Sequence, residues 1–373
     1  MSDCIDIPDA DYVRATPSGE LELRGERARF WGLVVAVAGE GFLGTSADAA
    51  GIADKVAANQ RAIERFADRM VAMGYNMMRC WEGGYERQRS EAPLLANHDY
   101  RPGDGSNADA IAYAFHALNK RGIKVWMSST NTLGTVSPDD VAVCDRPDAD
   151  AWRAAVGEMA QEGPIELGRV TKSLLLGAVD ERFEALMIAR WRMLTDFPNR
   201  YKGGLRLGDD PQMAVWELSN EHFPFRHFFN ADWQKLPAFF RDQFTQRWNA
   251  WLTEKYGDDA ALQAAWRFLL PGESLQTNSV ALLPLAKRVD GALYVNDNNP
   301  AVLDSLQVTE QHYSRADFTE HRARDVVAFA CDLIISHKQR LAAALRTMGK
   351  SCRLSPVLFD SGNAFRIQSA WMH

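Results

Sequence analysis

The stretch MAVWELSNEHF, residues 213–223, decides how the chain is read. It begins as an apolar run and changes chemistry within two positions, at Ser219, Asn220, Glu221 and His222. A short apolar run bounded by polar residues reads as a buried strand. A buried strand that ends in an amide and a carboxylate sets hydrogen-bonding and proton-transfer groups at the rim of a core. Whether that rim is a site depends on what the neighbouring strands carry.

Working outward, the same rhythm recurs. FWGLVVAVAG (30–39), YNMMRCW (75–81) and GIKVWMSST (122–130) are three earlier strand candidates. LSPVLFDSGN (354–363) is a fifth, and RIQSAWMH (366–373) begins a sixth. Helical spacing lies between them: Ile63, Phe66, Met70 and Met73 in 53–73, Ile111, Phe115 and Leu118 in 107–121, and Phe183, Leu186, Ile188 and Trp191 in 181–196. A polar excursion covers 131–180, an aromatic helical insertion covers about 228–316, and 317–348 is a long amphipathic helix. Residues 12–28 read as strand, turn and strand, forming an N-terminal extension over 1–28. Alternating buried strands and helices imply a parallel sheet covered by helices, filling 29–373.

Composition narrows the function. The 373 residues are 46% hydrophobic and 24% charged, which suits a globular protein. A net charge of -7 without a basic block argues against nucleic acid or an anionic membrane as partner. No apolar run reaches the roughly 18 residues of a membrane span. The five cysteines are scattered without metal-ligand spacing, and the start lacks a secretory pattern, so the expected location is cytoplasmic; secretion of a longer or processed form stays open. Neither Gly-x-Gly-x-x-Gly nor the phosphate-loop pattern is present, so no nucleotide cofactor is expected. His222, His312, His321 and His337 form no metal-ligand set, and no metal or other cofactor is expected. Ser219 lacks a nucleophile elbow, and Cys80 reads as a structural thiol. Gly203 and Gly204, with Asp209 and Asp210, read as the turn into the 213–221 strand.

The strand ends carry the candidate chemistry. Arg79, the Ser128–Asn131 run, Asn220 with Glu221, and Trp371 with His373 all fall there. Trp31, Trp81, Trp126 and Trp371 are candidate sugar platforms; core packing is the better account of Trp31 and competes for Trp126. Phe223 is a weaker candidate.

Taken together, RFWGLVV (29–35), FADRMVAMGYNMMRCW (66–81), NRYKGGLRLGDDPQMAVWELSNE (199–221), WNAWLTEKYG (248–257) and GESL (272–275) resemble retaining glycoside hydrolases built on the (β/α)8 TIM barrel, closest to bacterial cellulase-like, family 5-like members. The resemblance covers roughly 12–363. It implies an α/β TIM barrel, incomplete at its C-terminus, acting on a β-linked oligosaccharide or polysaccharide. It implies Glu221 as general acid/base, Asn220 on a sugar hydroxyl, Arg79 supporting the nucleophile, and His373 lining the pocket. A carboxylic acid can protonate a glycosidic oxygen and then act as base toward water.

Retaining hydrolysis needs a second carboxylate about 5–5.5 Å away. In the family it ends the seventh strand, and strands seven and eight have no counterpart here. The expectation is a missing C-terminal segment or a second chain that completes the barrel. Glu82, Glu86, Glu310 and Asp360 are the internal alternatives. The competing class is a non-catalytic carbohydrate-binding or scaffolding protein derived from such a hydrolase.

Overall fold

The computed structural model describes residues 7–36, 52–81, 107–128, 134–167, 172–219, 232–267, 269–282, 287–289, 292–294 and 321–359. An antiparallel meander comes first, with β1 (Arg14–Ala15), β2 (Leu21–Leu23) and β3 (Glu26–Arg27). The turns that close it use Gly19 and Gly25 at positive φ, which a side chain would resist. Next come β4 (Gly32–Ala36), α1 (Ile52–Ala72), β5 (Met77–Trp81), α2 (Asn107–Asn119) and β6 (Lys124–Ser128).

The segment read as a polar excursion is structured, which corrects that expectation. It contains β7 (Gly134–Val136), α3 (Ala149–Gln161), β8 (Ile165–Leu167) and α4 (Lys172–Val179), with β7 and β8 paired antiparallel. Trp152, Ala155, Val156 and Met159 are the buried stripe of α3. This 3-4-7 spacing was present in the sequence, diluted by alanines and a glycine. The chain continues through α5 (Glu181–Asp196), the short pair β9 (Pro198–Asn199) and β10 (Leu205–Arg206), and β11 (Met213–Ser219). The Gly203–Asp210 segment is the expected turn into this strand, with Gly203 and Gly204 at positive φ and Lys202 paired with the buried Asp210. Then come α6 (Ala238–Tyr256), α7 (Asp259–Trp266), the hairpin β12 (Lys287–Val289) with β13 (Ala292–Tyr294), α8 (His321–Arg346), α9 (Lys350–Leu354) and β14 (Val357–Phe359).

Five strands form the central sheet, in the order β14-β11-β6-β5-β4, and every neighbouring pair is parallel. Each strand lies beside its predecessor from the same set, and the order never reverses. A doubly wound sheet reverses at a switch point, whereas a barrel winds in one direction. The chain is therefore a mixed α/β fold whose parallel sheet core resembles part of a TIM-barrel-like architecture. Closure is not seen among the described residues, where β4 and β14 are the two edges. The sixth strand candidate lies outside them.

The sheet has two unlike faces. Met78, Cys80, Val125, Met127, Met213, Trp216 and Leu218 point into the main core, together with Ile63, Ala67 and Met70 of α1 and Ile111, Phe115 and Leu118 of α2. Cys80 is thus the buried thiol expected. The opposite face would line the interior of such a barrel. Its floor is a second cluster of Val13, Met77, Ala214 and Val215, flanked by Leu21, Leu23, Phe30 and Trp126. Trp31, expected in the core, is instead 68% exposed and lies parallel to Tyr75. Its backbone N–H donates to Asn76 Oδ1, so it sits just outside the start of the sheet. Among the described residues no helix is long and apolar enough to cross a membrane.

Candidate active site

Above the apolar floor, the inner face becomes polar through Arg79, Trp126 and Glu217. Arg79 and Trp126 are register partners on β5 and β6. Glu217 is paired with Ser128 on β6 and Leu358 on β14, one layer nearer the C-terminal ends of the strands. The ladder of β11 shifts register between Met213 and Val215, where Val215 is paired with Trp126. This irregularity puts the adjacent Ala214 and Val215 in the same floor cluster. Strict alternation from Met213 would have turned Glu217 into the main core. The extra residue turns Trp216 outward and Glu217 inward.

Glu217 is fully buried. Arg79 Nη2 donates to its Oε1 at 2.6 Å and Arg79 Nε to its Oε2 at 3.0 Å. Trp126 Nε1 donates to the same Oε2 at 2.9 Å. The guanidinium carbon of Arg79 lies 5.2 Å from the Trp126 ring centroid, within cation–π range. A planar fork meeting both carboxylate oxygens is the strong form of this pairing. Beside it, Ser128 is buried and its Oγ finds no hydrogen-bond partner among the described residues.

The structure therefore brings Arg79 and Trp126 together, as two of the expected site residues. Trp126 is neither a pure core residue nor a bare platform, because its indole N–H is anchored. Trp81 ends β5 in register with Ser128, and only its backbone is described. Asn220, Glu221, Phe223, Trp371 and His373 lie outside the described residues, as do Glu82, Glu86, Glu310 and Asp360. Asn220 follows directly on Ser219, the last residue of β11. Glu217 was missed by sequence reading. Its signal was a lone carboxylate within an otherwise apolar run, but its facing depends on the bulge.

A roughly 410 Å³ cleft lies elsewhere, lined by Arg146, Glu181, Phe239 and Arg247 among others. Its arginines are engaged locally: Arg146 pairs with Glu181, and Arg247 donates twice to the Val179 carbonyl. Among the described residues no group of three or more His, Cys, Asp or Glu side chains could hold a metal ion.

No protein-family model and no curated protein matches this chain. Among solved structures it is similar to a glycoside hydrolase family 5 mannosidase from Rhizomucor miehei, at 16% identity and a TM-score of 0.38, covering 64% of this chain and 54% of that one. A mutant of the same mannosidase gives 16% identity and a TM-score of 0.38, covering 62% of this chain and 53% of that chain. An endo-1,4-beta-mannanase from Rhizomucor miehei gives 11% identity and a TM-score of 0.37, covering 93% and 90%. The chain spans about half the length of the mannosidase. These likenesses are distant, and the strand order of the sheet remains the physical basis for a barrel-like fold.

Proposed function

We propose that this protein is a glycoside hydrolase of the retaining type, acting on a β-linked glycan or oligosaccharide with Glu221 as general acid/base. The observation that carries the reading is the inner-face group of Arg79, Glu217 and Trp126. It is a fixed cation beside an aromatic ring, on the face of a parallel sheet that would line a barrel interior. In barrels the reacting groups sit at the C-terminal ends of the strands. The strand that supplies Glu217 runs straight into Asn220 and Glu221.

In this reading Glu221 protonates the glycosidic oxygen as the bond breaks and later takes a proton from water. Asn220 both donates to and accepts from a sugar hydroxyl. Arg79 supplies positive charge beside the nucleophile. Trp81, Trp126, Phe223 and Trp371 offer faces for sugar rings, and His373 lines the pocket. Glu217 is the only acidic residue in the five central strands, and both its oxygens already accept from nitrogen donors. The nucleophile is accordingly assigned to a carboxylate outside the described residues.

The test is hydrolysis of aryl β-glycosides by the wild type and Glu221→Gln. The variant should lose at least about 100-fold on substrates with poor leaving groups. It should lose less in the first step on activated leaving groups, which need no protonation, and azide should restore turnover. Full activity in Glu221→Gln would overturn the acid/base assignment. A wild type that binds oligosaccharide without turnover would favour the binding-protein alternative.

A further inference from the structure

The reaction proposed above assigns Glu217 no step, yet its placement is the most constrained on the inner face. We infer that Glu217 is a positioning residue: it fixes the Arg79 guanidinium and the Trp126 indole as one rigid unit, and acts on a bound β-linked sugar through them. This rests on the glycosidase reading of the same site.

Three observations carry it. The first is the choice of residue. The floor beneath is apolar, built from Met77, Ala214 and Val215, so an apolar side chain would suit position 217. Burying a carboxylate there costs several kcal/mol unless it is fully paired. Three N–H donors from two neighbouring strands meet it. In some proteins such groups serve the geometry they impose rather than stability, and this is the role we infer for Glu217.

The second is what the pairing restrains. Arg79 is a long side chain with several rotatable bonds, and the two-point fork holds it in one orientation. Trp126 Nε1 and Arg79 Nε share Oε2, so the indole plane and the guanidinium plane are tied through one atom. In this arrangement the guanidinium carbon lies 5.2 Å from the ring centroid.

The third is access. Glu217 is fully buried, whereas the Arg79 side chain keeps 18% exposure and Trp126 is only part-buried. A ligand on this face would meet Arg79 and Trp126, with Glu217 behind them. Outer partners of this kind orient the groups that make contact, and a displacement of about 1 Å can cost on the order of 100-fold in rate.

Glu217→Gln keeps the volume but turns one acceptor into an N–H donor facing other donors. The full chain would be studied as wild type, Glu217→Gln and Glu217→Asp. Indole ¹H–¹⁵N spectra, with the Trp126 signal assigned through Trp126→Phe, report the unit directly. In Glu217→Gln the Trp126 signal should move while the other indole signals stay, showing an intact fold. On aryl β-glycosides kcat should fall about 10- to 100-fold with KM rising no more than about threefold. Glu217→Asp, which keeps the charge but shortens the reach, should recover part of that loss. An unmoved Trp126 signal overturns the inference. So does a moved signal with kcat unchanged, because Glu217 would then serve stability alone. If Glu217→Gln does not fold, Glu217→Asp against wild type decides in the same terms. If the wild type shows no turnover, the glycosidase reading fails by itself. Calorimetric titration with β-1,4-linked gluco- and manno-tetrasaccharides then decides the positioning role: Kd rises about threefold or more in Glu217→Gln if Glu217 positions the site, and an unchanged Kd overturns it.

Discussion

At the scale of single residues, the joint between Gly208 and Gly349 governs where two site strands begin. A Cβ on Gly349 would fall on the Gly208 carbonyl, and one on Gly208 would come within 2.8 Å of the Met348 carbonyl oxygen. Gly349 has φ 168, an extended conformation open to any residue, so space alone demands glycine there. The next residue continues the contact, with the Lys350 N–H donating to Asp209 Oδ1. This joint packs the start of α9, and through it β14, against the turn that leads into β11. Trp216 Nε1 then donates to Ser351 Oγ, and Ser351 Oγ donates to the Met213 carbonyl. Gly349→Ala should lower stability by about 2–3 kcal/mol through overpacking against rigid backbone. Urea unfolding measures it, and an unchanged midpoint would show that the joint can open freely.

At the scale of elements, α5 depends on one cap. The Asp180 carboxylate accepts from the backbone N–H groups of Arg182 and Phe183, from Trp152 Nε1 on α3 and from Gln243 Nε2 on α6. One buried side chain thus ends one helix and joins two others. Asp180→Ala should cost about 2–3 kcal/mol, above an ordinary cap because buried donors are stranded as well. Asp180→Asn, which keeps an acceptor, should cost less; equal losses in thermal unfolding would show that charge and not acceptance matters. The same elements show what sequence could reveal. The central strands and the helix over 181–196 were legible because long apolar periods survive in them. Helix α3 was not, because Ala151, Ala154 and Gly157 blur the contrast between its faces. Arg79 was legible as a charged residue within an apolar strand. Glu217 was not, because a one-residue irregularity in β11 chooses its face, and a bulge leaves no fixed mark in composition. Trp31 was misread for a related reason: hydrophobicity indicates a preference for burial, but its position just before β4 leaves it outside the sheet.

At the scale of the whole molecule, α8 links the sheet to the helices around it, and it carries two groups whose charge the fold resists. It packs on α4, α5, α7, α9 and β11. His337 is 2% exposed and its Nδ1 lies 2.7 Å from Glu184 on α5. Burial pushes its pKa down to about 4, aided by Lys338 and Arg340 and opposed by Glu184. Lys338 is buried, its Nζ has no hydrogen-bond partner among the described residues, and burial lowers its pKa to about 8. For His337 the unfolded chain binds more protons between about pH 4 and 6.5, so stability rises with pH across that window and is lost on acidification. Glu184, whose pKa is lowered through His337 and Arg340 against the opposing pull of burial, adds a further loss below its unfolded pKa. For Lys338 the same sign holds between about pH 8 and 10.5: below pH 8 the fold bears a buried ammonium, and the cost is relieved as pH rises. Tyr113, held up to about 12 mainly by burial, works oppositely once unfolded tyrosines ionise above about pH 10. Between pH 8 and 10 burial also holds the Cys331 and Cys352 thiols above their ordinary range, which opposes the rise, and lowers Lys124 and Lys202, which adds to it, so the share of Lys338 is the difference between wild type and a Lys338 variant. Lys338→Met, of similar length and without charge, should raise the urea midpoint at pH 7 and flatten the rise between pH 8 and 10. His337→Gln should leave that alkaline rise in place and flatten the one between pH 4 and 6.5. A Lys338→Met protein less stable than wild type at pH 7 would mean that the ammonium is paired, and that α8 is held to its neighbours by charge as well as by packing.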